Sequence, residues 1–252
     1  MLFGIEYEFL ILLFFVGGFS AFINVMSGGG SALVLPILIM MGMDANTANG
    51  TNRIAIFALT LSAIMSMRKQ EVSDFRFSMK MSLFTLPGVI LGAYFAQDIS
   101  TEAFKDILAW VILMIIIFMI LPDKLKSFLI KKLSIYPKFI YPIMIFVGFY
   151  GGFVQVGVGF ILMLALQSFL NLNLVNVNMH KVFIVFIYTI PALIMFIAYD
   201  NVEYVPGFVL AIGNWIGGWW SASLSIRKGD KFIKIFLVIS LLLMSLKMLD
   251  VF

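Results

Sequence analysis

No cysteine occurs among the 252 residues. That excludes disulfides, thiolate catalysis and cysteine-built metal sites. Histidine occurs once, as His180, which leaves little scope for a histidine-built metal centre. Deep carboxylates are missing too: Asp44, Asp98, Asp106, Asp200, Glu203 and Asp250 all lie near the ends of apolar segments. A proton relay through intramembrane Asp or Glu is therefore not expected. Charged residues make up only 12% of the chain, against 62% hydrophobic. A soluble domain of this size cannot hide so much apolar surface, so the bilayer is the solvent. The net charge of +4 does not point to nucleic acid, because the cations fall between apolar segments. The start carries Glu6 and Glu8 rather than a basic stretch, so the first apolar segment is read as part of the mature protein.

A membrane span needs about 20 apolar residues. Clear candidates run over 46–67, 76–96, 103–121, 174–199, 204–223 and 231–251. Two further apolar runs, 9–41 and 139–170, are too long for one straight span and short for two full ones. Each is interrupted by glycine, at Gly28-Gly29-Gly30-Ser31 and at Gly157-Val158-Gly159. Glycine is a poor helix former, so each run is expected to break at mid-depth.

Three loops hold most of the cations: Arg68, Lys69, Arg76 and Lys80; Lys124, Lys126, Lys131, Lys132 and Lys138; Arg227, Lys228, Lys231 and Lys234. Glu6, Glu8, Asp98, Glu102, Asp200 and Glu203 mark the opposite ends. The positive-inside rule puts all three basic loops in the cytoplasm only if each broken run enters and returns. That parity holds whether the broken runs are re-entrant hairpins or short full spans. It gives an all-α polytopic membrane protein with about five helical segments per half. The N-terminal repeat covers 1–121, a basic cytoplasmic linker 122–138, and the C-terminal repeat 139–252. An odd number of segments inverts the second half relative to the first, and both termini are expected outside. At an offset of 129 residues Gly28 meets Gly157, Gly30 meets Gly159 and Asn49 meets Asn178. At 125, Gly88 and Gly92 meet Gly213 and Gly217, spacings that suit close helix packing. Pro87 and Pro191 are expected to kink their spans.

Helices starting near Ser31 and Phe160 would bury their N-termini at mid-depth. Their first N–H groups have no intrahelical partner, and the helix dipole makes each end mildly positive. Two such ends near a pseudo-two-fold axis form an anion site. Gly29, Gly30, Gly157 and Gly159 would let a ligand approach the backbone, with Asn24, Ser27, Ser31 and Gln155 as side-chain donors. A second polar cluster opens the third segment of each half: Asn49, Thr51, Asn52 and Arg53, then Asn178, His180 and Lys181. Arg53 and Lys181 each fall about 10 Å into their helices. A buried cation at that depth is a functional expectation, and snorkelling to the interface is the alternative. His180 titrates near neutral pH and is read as a hydrogen-bonded histidine rather than a proton sensor.

The glycine-rich Gly28-Gly29-Gly30-Ser31 with Pro36 following, the stretch Ala48-Asn49-Gly50-Thr51-Asn52-Arg53, then Gly157-Val158-Gly159-Phe160 and Asn178-x-x-Lys181 occur in order with matching spacing. Together they resemble the sulfite exporter TauE/SafE family, also called TSUP, over nearly the whole chain. The resemblance implies transport of sulfite, sulfonates or related small organic and sulfur-containing anions. One departure is that the second half commonly reads Asn-Ala-x-Lys, where this chain has the bulkier Met179.

The expected function is a secondary transporter, in the cell (inner) membrane, that binds a small anion at mid-membrane between the repeats. An interior-negative potential drives anions outward with about 2.3 kcal/mol per charge per 100 mV, so an exporter needs no coupling ion. An anion channel and a proton-coupled importer are the alternatives. An enzyme lacks its parts: there is no His-Glu-x-x-His, no buried carboxylate pair and no cysteine. No metal and no cofactor are expected. The partners expected are the small anion and the bilayer, with a homodimer left open.

Overall fold

The computed structural model describes residues 7–69, 75–104, 106–107, 110, 113, 137–170 and 172–248, and these residues are helical apart from short connections. Helix α1 spans Tyr7–Ser27, α2 Ser31–Met40, α3 Ala45–Lys69 and α4 Phe75–Phe95. After a short 3-10 turn come α5 (Ile140–Phe153), α6 (Val158–Leu170), α7 (Leu174–Ala198) and α8 (Tyr204–Met248). Local chemistry sets several of the ends. The Asp44 carboxylate accepts from the N–H of Thr47 at 2.9 Å, and Asn173 accepts from the N–H of Asn176 at 2.8 Å, so both third segments start on side-chain caps.

Three helices, α1, α3 and α7, are long and apolar enough to cross a bilayer. The expected spans 46–67, 76–96 and 174–199 are helices with ends shifted by at most two residues. The span expected at 103–121 and the linker at 122–138 lie largely outside the described residues, as does Glu6. The expected spans 204–223 and 231–251 are joined more tightly than by a loop: α8 is two helices that meet at a kink at Gly229 (φ 69, ψ −167), inside the third basic group. Glycine tolerates the left-handed backbone that this kink needs. Pro87 and Pro191 stand inside helices that continue through them.

Large apolar side chains line the outside, and many polar ones are buried within the apolar core. Phe15, Phe19, Ile194, Phe208 and Trp220 are exposed, while Arg53, Lys181, Asn49, Asn52, Asn178 and Thr189 are buried. Water would reward the reverse, and a hydrocarbon surround rewards this one.

The halves interlock. Helix α1 packs on α8, and α5 packs on α4; α3 and α7 pack on each other, α3 also on α8, and α7 also on α4. Glycine makes the tightest of these contacts. A Cβ on Gly88 or Gly92 would run into the backbone of α5 at Ile145 and Phe149, and a Cβ on Gly213 or Gly217 into α1 at Phe14 and Gly18. The packing role expected of these four glycines is what their surroundings require.

The contacts also sort the charges. Thr51 accepts from the Glu203 N–H, Ser66 donates to the Trp219 carbonyl, and Ser221 donates to the Phe22 carbonyl. Helices α1, α3 and the first part of α8 therefore run side by side in one direction. Asn201 reaches Gln97, and Asn46 reaches the Gln97 and Ile99 carbonyls. Glu8, Asp44, Asp98, Asp200 and Glu203 thus collect at one end of the bundle. Arg68, Lys69, Arg76, Lys80, Arg227 and Lys228 collect at the other.

Candidate functional site

The two glycine-interrupted runs break where expected, and the breaks touch. In the first, α1 ends at Ser27, Gly28 takes a left-handed conformation (φ 85) and α2 begins at Ser31. In the second, α5 ends at Phe153, Gln155 (φ 66) and Gly157 (φ 70) are both left-handed, and α6 begins at Val158. The Tyr150 hydroxyl donates to the Val156 carbonyl and ties this turn down. A Cβ on Gly28 would collide with the backbone of Gly159 and Phe160. Backbone meets backbone here, which only glycine permits. At 10 and 13 residues, α2 and α6 are about 15 and 20 Å long, too short to span the hydrocarbon core by themselves.

The buried cations reach across to the opposite half. Arg53 is fully buried and donates to the Gly151 carbonyl at 3.2 Å and the Gly152 carbonyl at 2.5 Å, both in the last turn of α5. Lys181 is 1% exposed and donates to the Asn24 and Val25 carbonyls of α1 at 3.1 and 2.6 Å. Each cation therefore caps the C-terminal, negative end of the other half's broken helix. Neither snorkels. Arg53 also lies 4.5 Å over the Phe196 ring and reaches the Asn49 side-chain oxygen at 3.4 Å.

Other expected site residues divide by location. Asn49 donates to the Phe153 carbonyl at 2.7 Å, and Asn52 donates to the Ser31 hydroxyl at 3.1 Å, so both sit at the breaks. The Ser27 hydroxyl is spent on the Ile23 carbonyl of its own helix. The Cβ directions of Gly30 and Gly159 are filled, the first by the Ser20 carbonyl and Asn24, the second by Gly28 and Lys181. A ligand reaching the N–H groups there must come from the other side. Gly29 and Gly157 lie in the same two turns. Thr51 is drawn away to cap α8 through Glu203. His180 is 3% exposed, 2.8 Å from the Ser78 hydroxyl and edge-on to Phe77, so it joins α7 to α4 as a hydrogen-bonded histidine.

Several polar atoms in this interior have no hydrogen-bond partner. They are both amide atoms of Gln155, both of Asn178, the Asn52 oxygen, Arg53 Nε, the Tyr188 hydroxyl and the Thr189 hydroxyl. Buried polar groups are normally paired, so each of these orphans calls for an explanation. Tyr188 and Thr189 were absent from the sequence reading. The available signal was spacing: Asn178, Lys181 and Tyr188 recur on one face of α7. Gln155 adds strain, since a non-glycine residue in left-handed backbone is costly and concentrates at functional sites.

An all-helical chain with apolar flanks, buried polar side chains and two broken helices meeting inside it is a multi-pass membrane protein. More narrowly, it belongs to the sulfite exporter TauE/SafE family, whose description matches residues 13–248. It is similar to a "Probable membrane transporter protein" of Haemophilus influenzae, 29% identical over 96% of this chain and 94% of the relative. It is also similar to the "Probable membrane transporter protein YfcA" of Escherichia coli K12, 28% identical over 98% of this chain and 92% of the relative. A third relative, "Probable membrane transporter protein ORF9" of a Sinorhizobium species, is 23% identical over 97% of this chain and 94% of its own length. All three relatives carry membrane-transporter names. No solved structure matches the chain at a significant level.

Proposed function

We propose that the protein carries a small oxyanion, of the sulfite and sulfonate kind, across the cell membrane, and that the anion binds where the two helix breaks meet. The observation that carries this reading is the set of buried, unpartnered polar atoms on residues that contacts bring to the breaks: Gln155 in the second break, Asn52 on Ser31, Arg53 on Gly151 and Gly152, and Tyr188 against Gly151. Arg53 and two helix N-termini lie there, and no carboxylate is buried among the described residues. The family and the transporter names of the relatives fit this reading.

An inverted repeat about this site explains why features recur in pairs. Helix α1 meets α8 as α5 meets α4, Gly213 and Gly217 face α1 as Gly88 and Gly92 face α5, and the two cations cap reciprocally. The basic end of the bundle is the cytoplasmic one. With no carboxylate relay, the membrane potential suffices to drive export.

The test is flux of sulfite and methanesulfonate into proteoliposomes holding the purified chain. Saturable uptake with counterflow is expected, together with a rise in apparent Tm on adding the transported anion. Absence of flux and of stabilisation by every anion tried would overturn the reading, and unitary conductance in a planar bilayer would replace it with a channel. Orientation is tested by single cysteines in this cysteine-free chain: one at Glu203 should react with an impermeant reagent in intact cells, and one at Lys228 should be shielded. The opposite pattern would invert the assignment.

A further inference from the structure

The two cations look equivalent by position but differ in what they have left to donate. Lysine has three N–H donors and arginine five. Lys181 Nζ is engaged by the Asn24 carbonyl, the Val25 carbonyl and Met163 Sδ at 3.7 Å. All three donors are spent. Arg53 uses Nη1 on Gly151 and Nη2 on Gly152 and Asn49, and its Nε has no partner. Directional bonding to a ligand is therefore open to Arg53 and closed to Lys181.

The orphans near Arg53 are of the right kind. Gly151, whose carbonyl Arg53 holds, is also the glycine against which Tyr188 packs: a Cβ there would lie 3.2 Å from the Tyr188 hydroxyl. Tyr188 is fully buried and its hydroxyl is unpaired. Four residues beyond Gly151 stands Gln155, 2% exposed, left-handed, with both amide atoms unpaired. Its N–H closes back on the Tyr150 carbonyl, so the turn lies against the same end of α5.

We infer that the anion site is one-sided, with Arg53, Tyr188 and Gln155 donating to the anion while Lys181 only caps α1. The inference rests on the reading that this protein binds an anion at the breaks, and adds which residues touch it.

The experiment is equilibrium binding of radiolabelled methanesulfonate to the purified full chain, with sulfate as competitor. Tyr188→Phe keeps the ring and removes a hydroxyl that has no partner, so folded yield and Tm should be unchanged. Its affinity for methanesulfonate should fall about tenfold or more, the loss of a hydrogen bond to a charged group. Lys181→Gln should lower Tm, with affinity per folded molecule kept within about twofold; where it fails to fold, Lys181→Arg is measured instead. Sulfate is run alongside to show whether the site separates the two oxyanions. Unchanged affinity in Tyr188→Phe or a tenfold loss in a folded Lys181 variant would each overturn the one-sided site. Absence of saturable binding by the unmodified chain, for any anion, would instead overturn the functional reading beneath it.

Discussion

The two helix breaks occupy corresponding places in the two halves and are built differently. The first puts glycine at its left-handed position, Gly28, and follows it with two more glycines. The second has its own left-handed glycine, Gly157, and adds Gln155 in left-handed backbone, with a buried amide that pairs with nothing. Glycine pays no steric penalty there and glutamine does, so the first break is a relaxed hinge point and the second holds a side chain under strain. The flanking clusters differ in the same sense. Asn49 is satisfied by the Phe153 carbonyl, while Asn178, at the corresponding place on α7, has no partner at either amide atom. The first break is thus satisfied within the fold, and the second leaves polar groups unpaired.

The largest effect expected concerns the relaxed break. Gly28→Val places a Cβ into the backbone of Gly159 and Phe160 at a positive φ, so most folded protein should be lost, a cost above about 4 kcal/mol. Recovery of monodisperse protein on size exclusion measures it. A normal yield would mean that the halves do not meet at glycine.

Next is the cap from the second half onto the first. Lys181→Gln leaves two buried carbonyls of α1 short of a donor, at about 1–3 kcal/mol each, and should lower the apparent Tm accordingly. An unchanged Tm would remove the reciprocal cap as a stabilising element.

A smaller effect of opposite sign tests the strained break. Gln155→Gly relieves the left-handed penalty and removes an unpaired amide, so it should raise stability by about 1 kcal/mol while weakening anion binding. Thermal unfolding and anion titration of the same preparation read both quantities. Loss of stability would show that the amide has a structural partner, and the contrast between the breaks would disappear.

The smallest effect lies away from the breaks. Ser78→Ala removes the hydroxyl 2.8 Å from His180 and should cost about 1 kcal/mol with anion affinity unchanged. A change in affinity would connect the α4 to α7 contact with the site.

The membrane class, the limits of most spans and the existence of both breaks were legible in sequence. They depend on local composition, on where 20 apolar residues run together and where glycine interrupts them, and the bilayer imposes those rules along the chain. Family membership was legible too, because its signature residues lie in short ordered stretches. The break between the last two spans was legible as well, and only its tightness, a kink on Gly229 alone, was not. Nor could sequence show that Arg53 and Lys181 cap the opposite half's helix or that Thr51 serves α8. Those facts depend on residues about a hundred or more positions apart becoming neighbours. Sequence fixes which polar groups enter the membrane. Only the packing of one half on the other decides which of them are satisfied there and which are left over to bind.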